Sequence, residues 1–276
     1  MTRDDISPNR VVLVTGASTG IGRLCAERLA ANGWRVFGGA RSVGAQTAVA
    51  PSNLEFLTMD VTSDASVQTV VDTILSKTGR IDALVNNAGF SMRGSVEDVP
   101  MEEARAILET NFFGALRVCR AAAPALRAQG GHIVNVSSLA GLVGLPFTGH
   151  YCASKFALEG LSESLRYELR PYGVHVSLVE PGDYLTGIQA SRRTSVETQQ
   201  GVYARAFADF LHKRQAFEAR AGTAEPVAAM IEAILNDPAP RLRYVVAMPA
   251  QRVLPVLRRL LPQSLYEVCF RRLLGQ

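Results

Sequence analysis

The chain has 276 residues, enough for one sizeable α/β domain and too few for two. Hydrophobic residues make up 47% and charged residues 20%, proportions that exclude an intrinsically disordered chain. The net charge of +4 comes almost wholly from arginine. The basic residues are not interleaved with aromatic residues as in nucleic-acid-binding proteins, so no nucleic-acid partner is expected.

The sequence also bears on the compartment. No apolar run reaches the ~18 residues of a membrane-spanning helix, and the first ten residues, MTRDDISPNR, lack the apolar core of a secretion signal. The four cysteines and four histidines are scattered without metal-ligand spacing, which favours reduced thiols. We therefore expect a cytoplasmic protein without a bound metal.

Short apolar runs alternate with stretches of helical periodicity along the chain. Strands are predicted over Val11–Thr15, Arg35–Gly38, Leu54–Thr58, Ala83–Asn86, His132–Val136, His175–Val179 and Tyr244–Ala247. Helices are predicted over Gly22–Ala31, Ala65–Thr78, Met101–Gln129 (as two helices or one kinked helix), Tyr151–Arg170 and Glu225–Asn236. This alternation predicts an α/β fold in a single domain, a Rossmann-like doubly wound parallel sheet of about seven strands flanked by helices.

A glycine-rich turn, TGASTGIG, follows the first predicted strand and precedes a helix. This is the context in which a glycine motif binds a nucleotide, although an ordinary glycine turn is the alternative. The glycines suit a tight turn, close approach of the backbone to a pyrophosphate, and packing of the helix on the strand. The residues expected at the nucleotide are Gly16, Ser18, Thr19, Gly20, Ile21 and Gly22.

The end of the second predicted strand indicates NADP(H) rather than NAD(H). NAD-preferring proteins place an acidic residue about 20 residues after the glycines to bind the ribose 2′-hydroxyl. Here the sequence reads VFGGARS, and Arg41 could pair with a 2′-phosphate while Ser42 adds a hydrogen bond. The glycine turn supplies no second basic group, and Arg41 as a solvated side chain is the alternative. We expect a preference for NADP(H), with NAD(H) as the second choice.

Tyr151 and Lys155, in the run YCASK, indicate acid–base chemistry. Residues four apart share one face of a helix, so the ammonium can lie beside the phenol oxygen and lower its pKa from the usual value of about 10. Ser138, 13 positions before Tyr151, could polarise a carbonyl that the tyrosine protonates, and Ser137 is the neighbouring candidate. Together these residues predict interconversion of a carbonyl and an alcohol by hydride transfer from a nicotinamide.

In this order and spacing, the motifs resemble the short-chain dehydrogenase/reductase family, in its single-domain branch. The likeness spans roughly residues 10–186 and, more loosely, 223–247. The family's TGxxxGxG and YxxxK patterns are present, and the remaining positions of its motifs are occupied by Asn86, Asn87, Ala88, Gly89, Asn111, Ser138, Pro181, Gly182 and Thr186.

The resemblance implies further roles. It places Asp60 and Val61 at the adenine, Asn87 near the adenosine ribose, and Lys155 on the nicotinamide ribose. Asn111 would hold a water that links the lysine to solvent, or satisfy backbone carbonyls at a helix kink, or both. The cofactor would also contact Ala88, Gly89, Pro181, Gly182 and Thr186. We expect a homodimer or homotetramer.

The substrate is predicted less sharply. Residues 186–222 form a long interruption without a predicted strand, typical of a lid, and Phe147 and Tyr184 would line the pocket beside Ser138 and Tyr151. The apolar pocket and a softer resemblance to steroid- and retinol-dehydrogenase-like members favour a steroid-, retinoid- or lipid-like substrate. A small polar carbonyl substrate is one alternative. A non-catalytic NADP(H)-binding redox sensor is another, although such proteins tend to lose the tyrosine or the lysine.

The last segment has its own pattern. We expect residues 1–249 to form the NAD(P)-binding catalytic domain, with the lid at 186–222, and residues 250–276 to form an amphipathic helical tail. In the tail, leucines and valines recur at helical spacing beside arginines. The pattern favours helices packed on the core or on a partner subunit over a helix pair on an anionic membrane.

Overall fold

The computed structural model of the protein describes residues 10–43, 50–186, 191–219 and 221–274. The strands in these ranges are β1 (Val11–Thr15), β2 (Arg35–Ala40), β3 (Leu54–Thr58), β4 (Ala83–Asn86), β5 (Met92–Arg93), β6 (His132–Val136), β7 (His175–Pro181), β8 (Arg193–Thr194) and β9 (Arg243–Val246). Seven of these described strands form one parallel sheet in the order β3-β2-β1-β4-β6-β7-β9. The strand order reverses between β1 and β4, where sheets of this kind bind ligands.

Helices cover both faces of the sheet. They are α1 (Gly20–Ala31), α2 (Asp64–Thr78), α3 (Met101–Leu108), α4 (Gly114–Gln129), α5 (Gly149–Leu169), α6 (Val196–Gln200), α7 (Ala204–Glu218), α8 (Glu225–Asn236), α9 (Pro249–Leu260) and α10 (Gln263–Leu274). Alternate residues of β1 point to opposite faces: Val12 and Val14 join the core under α1 and α8, and Val11 and Leu13 join the core under α2 and α4.

The structure confirms the predicted fold class and most element boundaries. Strands β2 and β7 extend two residues further than predicted, to Ala40 and Pro181. The predicted helix over 101–129 is α3 and α4 joined by a π-helical turn, Glu109–Phe113. This break supports the prediction of two helices or a kink.

The segment 186–222, called the lid below, keeps that role only as a prediction, and it differs from the predicted pattern in one respect. It contains the two-residue strand β8, which pairs with β5. The pairing escaped prediction because so short a strand has no local apolar pattern and depends on a partner about 100 residues away. Within the expected domains, residues 1–9, 44–49, 187–190, 220 and 275–276 lie outside the described residues.

The tail forms two helices, α9 and α10, after the last strand. Gln251 at the start of α9 donates a hydrogen bond to Asp183 at 2.7 Å, and Tyr266 of α10 is buried. Across the described ranges, no helix combines the length and the apolar character needed to cross a bilayer.

Candidate active site

The glycine turn between β1 and α1 depends on residues without side chains. Gly16 and Gly20 have φ angles of +65° and +57°, in the left-handed region that favours glycine. A Cβ on Gly22 would lie 2.3 Å from the carbonyl oxygen of Gly16. The backbone at this turn is therefore as compact as the sequence predicted.

Thr15 and Asn87 join this turn to the end of β4. The Oγ1 atom of Thr15 accepts hydrogen bonds from the backbone N–H groups of Asn87 and Ala88, both at 3.0 Å. The side-chain amide of Asn87 donates to the backbone oxygens of Thr15, at 3.0 Å, and of Gly16, at 3.2 Å. The sequence analysis gave Thr15 no role, although its place at the head of the glycine motif was the available signal. The expected contact of Asn87 with a ribose stays a prediction.

A cleft of about 490 Å³ opens beside the turn and is lined by Ser18, Thr19, Arg41 and Ser42. The pKa of nearby Asp60 is lowered, chiefly by the backbone hydrogen bond from Thr62 and in smaller part by the charge of Arg41. The cleft thus combines hydroxyl groups with a guanidinium at the carboxyl end of the sheet. That donor set fits the phosphate-bearing part of a nucleotide.

Ser138, Tyr151 and Lys155 converge near the carboxyl end of β6, as predicted from their spacing. Ser138 caps a short 3-10 turn, its Oγ accepting from the N–H of Ala140 at 3.2 Å, and its hydroxyl lies near enough to the Tyr151 phenol to act on the pKa of that phenol. Lys155, on the next turn of α5, places its Nζ 5.9 Å from the centroid of the Tyr151 ring. The buried ammonium donates to the backbone oxygen of Val136 at 2.8 Å.

The phenol of Tyr151 does not have the lowered pKa that its spacing from Lys155 predicted. Burial raises the pKa of Tyr151 to about 12, against the opposing effects of the hydrogen bond with Ser138 and the charge of Arg192. Burial also lowers the pKa of Lys155 to about 8, while the charge of Glu159 acts to raise it. Desolvation outweighs the proximity that the spacing indicated, because each group loses the water that would stabilise its charged form.

Asn111 lies in the π-helical turn and is buried. Its Oδ1 accepts from the N–H of Phe90, and its Nδ2 donates to the Phe90 oxygen and to Ser154 Oγ, each at 3.0 Å. Ser154 in turn donates to the backbone oxygen of Tyr151 at 2.8 Å. The asparagine therefore ties the segment after β4 to the helix that carries the tyrosine. Asn111 does lie at a helix distortion, but its amide bonds Phe90 outside the helix and not carbonyls freed at the kink, and the water-holding role stays a prediction.

Two buried carboxylates, which were not identified from the sequence, share Arg243, and the charge of one of them, Glu159, acts on Lys155. Glu180 of β7 is 0% exposed, and one of its oxygens lies 3.2 Å from Nε of Arg243. Glu159 of α5 shares the same guanidinium at 3.0 Å. Burial, with a contribution from the charge of Glu159, raises the pKa of Glu180 to about 8. Glu180 belongs to the EPG sequence at the strand end, which was the available signal.

The same region distinguishes the two candidate serines. A Cβ on Gly141 would lie 2.7 Å from Ser137 Oγ and 3.2 Å from Glu159 Oε1. The side chains of Ser137 and Glu159 therefore lie next to each other, both against Gly141. Ser138 is the serine that contacts Tyr151. The geometry therefore favours Ser138 over Ser137 beside the phenol.

Aromatic residues join the lid to the loop before α5. The Phe147 ring centroid lies 5.2 Å from that of Phe207, 5.4 Å from that of Phe210 and 6.2 Å from that of Tyr203. Tyr184 instead packs against the core under α1 and α8. Lid packing thus accounts for part of the aromatic content, and substrate contacts by Phe147 and Tyr184 stay predictions.

Charged groups also fasten the lid, and no local pattern predicted them. Glu218 of α7 pairs with the half-buried or buried guanidinium groups of Arg93, Arg192 and Arg214. Burial acts to raise the pKa of Glu218, but hydrogen bonds and charge from Arg192 and Arg93 outweigh it and lower the pKa. Arg214 also donates to Asp183, after β7, at 3.1 Å. Arg192 brings this network within electrostatic reach of Tyr151.

Comparisons with known proteins agree with this geometry. The family model described as short chain dehydrogenase matches residues 10–197. Human 17-beta-hydroxysteroid dehydrogenase type 1 is 36% identical over 266 residues, which cover 90% of this chain and 80% of that protein. The 3-ketodihydrosphingosine reductase of Bacteroides thetaiotaomicron is 41% identical over 192 residues, covering 69% of this chain and 70% of that one. The crystal structure of a short-chain dehydrogenase from Streptomyces avermitilis superposes with a TM-score of 0.80 at 32% identity, covering 91% of this chain and 93% of that chain.

The chain belongs to the short-chain dehydrogenase family, and the softer resemblance to steroid-dehydrogenase-like members is confirmed. It is an NAD(P)-dependent oxidoreductase that acts on alcohol or carbonyl groups. The preferred nucleotide, the substrate and the oligomeric state are finer questions.

Proposed function

We propose that this short-chain dehydrogenase uses NADP(H) to interconvert a ketone or aldehyde with an alcohol on a hydrophobic substrate, with Tyr151 as the general acid and base. The observation that carries the proposal is the convergence of the Ser138 and Tyr151 hydroxyl groups, with the Lys155 ammonium buried beside the phenol ring. These three groups offer an acid, an oxyanion donor and a cation in one place.

The protein's own groups handle the proton. When bound, the nicotinamide supplies or accepts the hydride. In the reducing direction, the Tyr151 hydroxyl donates its proton to the substrate oxygen as negative charge develops there, and Ser138 stabilises that charge. A pKa of about 12 keeps the phenol protonated at neutral pH, which suits an acid. Lys155, with a pKa of about 8, can return a proton to the tyrosine.

The cleft at the glycine turn supports the choice of NADP(H). Arg41 and Ser42 line it together with Ser18 and Thr19, and a guanidinium recognises a phosphate through two parallel hydrogen bonds. We expect Arg41→Ala to weaken NADPH binding about tenfold or more and to leave NADH binding unchanged. Fluorescence titration of both nucleotides measures this, and equal or tighter binding of NADH by the parent chain would contradict the preference.

Two lines of support favour a hydrophobic substrate. Aromatic side chains of the lid, Phe207 and Phe210, pack with Phe147 in the loop between Ser138 and Tyr151. Two relatives are named for a hydroxysteroid and for a ketodihydrosphingosine, which are largely apolar carbonyl or alcohol compounds. We therefore propose a steroid-, retinoid- or lipid-like ketone or aldehyde, or the matching alcohol.

The test is a screen of NADPH consumption over apolar ketones and small polar carbonyl compounds, followed by Tyr151→Phe on the best substrate. We expect turnover to fall by about 10²–10⁴-fold while NADPH binding is retained. Tyr172→Phe is the matched control, because Tyr172 is exposed and remote from Ser138 in the fold. Retention of more than a few per cent of activity by Tyr151→Phe refutes the assignment. Tight NADP(H) binding without turnover of any compound would favour the redox sensor instead.

A further inference from the structure

The positive charge of the chain is concentrated in its last segment. The 26 residues from Gln251 onward contain five arginines and one acidic residue, Glu267. The preceding 250 residues contain 24 basic and 24 acidic residues, so formally they are neutral. The whole net charge of +4 therefore belongs to helices α9 and α10 and the residues that follow them.

These helices also present apolar side chains to solvent. Val253, Val256 and Leu260 follow one another at a spacing of three and four on α9, and Leu260 is 72% exposed. Leu265 and Val268 continue the exposed apolar surface on α10. The opposite side of α10 packs inward through Tyr266 and Phe270, whose rings stack with centroids 5.6 Å apart. The tail is thus fixed by one side and leaves the other side uncovered in the described structure.

In the part of the chain that the structure describes, the tail's arginines lack the carboxylate partners that many arginines of the body have. Body arginines such as Arg93, Arg192 and Arg243 lie in ion pairs with carboxylates. Among the residues that the structure describes, no carboxylate pairs with the tail's arginines. Arg259 and Arg271 are exposed beside the apolar side chains. Exposed apolar and cationic groups on one surface are typical of helices that lie on an anionic bilayer.

We propose that α9 and α10, over residues 251–272, form a surface that docks on an anionic lipid membrane. Each arginine near such a surface contributes about 1 kcal/mol, and apolar side chains between the arginines enter the headgroup region. A second copy of the chain fits this surface less well. A twofold interface sets a patch against itself, so a patch of net charge +4 would face an identical one and meet like-charge repulsion.

The docking surface adjoins the substrate side of the active site. Arg258 donates to the backbone oxygen of Leu142 at 2.5 Å, in the loop that follows Ser138, and lies 5.1 Å from the centroid of the exposed Phe156 ring. Gln251 holds Asp183, which also pairs with Arg214 of the lid. A membrane under the tail therefore lies beside the loop and the lid, where a lipid-dissolved substrate would enter. This last step rests on the proposed function, whereas the docking itself does not.

Vesicle sedimentation tests the docking with the full chain. Vesicles of phosphatidylglycerol and phosphatidylcholine are compared with vesicles of phosphatidylcholine alone, at about 0.1 M salt, where the Debye length is about 10 Å. We expect the chain to pellet with the anionic vesicles only. The double variant Arg259→Glu/Arg271→Glu should bind them at least about thirtyfold more weakly, because each arginine contributes about a fivefold gain in binding.

A matched control separates the position of the charge from its amount. Arg105→Glu/Arg120→Glu, at exposed positions on α3 and α4, changes the net charge equally and should bind as the parent does. The proposal fails if the parent stays in the supernatant or if both double variants lose binding alike. It also fails if the tail variant changes the mass measured by light scattering while vesicle binding is absent, since the surface would then join two copies of the chain.

A kinetic comparison tests the delivery of substrate. An apolar ketone carried in anionic vesicles is compared with a water-soluble ketone that the chain also reduces. The tail variant should lose turnover of the vesicle-borne ketone only. If neither ketone is turned over by the parent chain, the proposed function fails, while the sedimentation result still decides the docking.

Discussion

The two sides of the active-site cleft are held together in different ways. On the nucleotide side, hydrogen bonds between neutral groups and tight backbone packing join the glycine turn to β4, through Thr15, Asn87 and the bare backbone of Gly22. On the substrate side, ion pairs hold the lid, with Glu218 facing the guanidinium groups of Arg93 and Arg192. The nucleotide side is therefore held rigidly by close packing, and the substrate side is held by ion pairs.

The difference suits two tasks. Backbone contacts at van der Waals distance leave no freedom, which suits a surface that must match a pyrophosphate closely. Ion pairs can be broken and remade as a segment moves, and a lid that admits a substrate has to move. The comparison therefore predicts that small steric changes damage the nucleotide side most. Changes in charge should act mainly on the lid.

Gly22→Ala gives the largest expected effect. The new Cβ would lie 2.3 Å from the Gly16 oxygen and 2.4 Å from Nδ2 of Asn87, so the turn or the start of α1 must shift. Overpacking of this kind costs about 1–3 kcal/mol, and we expect the dissociation constant for NADPH to rise about tenfold to 100-fold. Isothermal titration measures the constant.

The control for this change is Gly160→Ala on the exposed face of α5, where an added Cβ meets no atom within 4 Å. Alanine should stabilise that helix by up to about 1 kcal/mol and leave NADPH binding unaltered. If Gly22→Ala bound NADPH as tightly as the parent chain does, the glycine turn could shift to make room for the added Cβ at little cost.

Glu218→Gln gives the next largest effect, on the lid. The change removes the negative charge that faces three arginines, and because Glu218 is 17% exposed, the cost lies below the ~3–5 kcal/mol of breaking a fully buried ion pair. A loss of about 1.4 kcal/mol from the state in which the lid covers the substrate lowers kcat/KM about tenfold, through a higher KM. Steady-state kinetics and a melting curve measure both consequences. Affinity for NADPH should stay as it was.

Glu103→Gln is the matched change at an exposed pair. Glu103 and its partner Arg193 are 39% and 46% exposed, and such pairs contribute about 0–1 kcal/mol. The variant should therefore differ little from the parent in KM and melting temperature. If Glu103→Gln and Glu218→Gln raised KM and lowered the melting temperature equally, burial of the Glu218 network would not strengthen its ion pairs.

The sequence predicted the nucleotide side and the catalytic groups well because their signals are local. Short apolar runs located the strands, and the spacing of Ser138, Tyr151 and Lys155 anticipated their convergence. The lid network could not be predicted, since Arg93 and Glu218 are 125 residues apart and nothing near either one indicates the other. Their contact exists only once β5 and α7 have been placed by the fold.

Burial was the other quantity that spacing could not supply. The four-residue step from Tyr151 to Lys155 indicated their proximity but not the loss of water that shifts the pKa values of both. The predicted strand ended at Val179 and so left Glu180 out of the sheet. In the structure β7 continues through Glu180 into the core.

The buried pair of Glu180 and Glu159 extends the comparison to pH. The pKa of Glu180 rises from 4.5 to about 8 on folding. Below pH 4.5 its carboxyl is neutral in both states, so the stabilising contribution is complete. Between the two values unfolding releases a proton, and the free energy of unfolding falls as pH rises, by at most about 1.4 kcal/mol per pH unit.

Glu180→Gln should flatten this fall, because an amide stays neutral where the carboxyl ionises beside Glu159 and Arg243. Urea unfolding at pH values from about 6 to 9 gives the two slopes. Glu163→Gln removes an exposed carboxylate from the same guanidinium and should keep the parent's slope. If the parent and Glu180→Gln show the same slope, Glu180 ionises in the folded chain as it does in water.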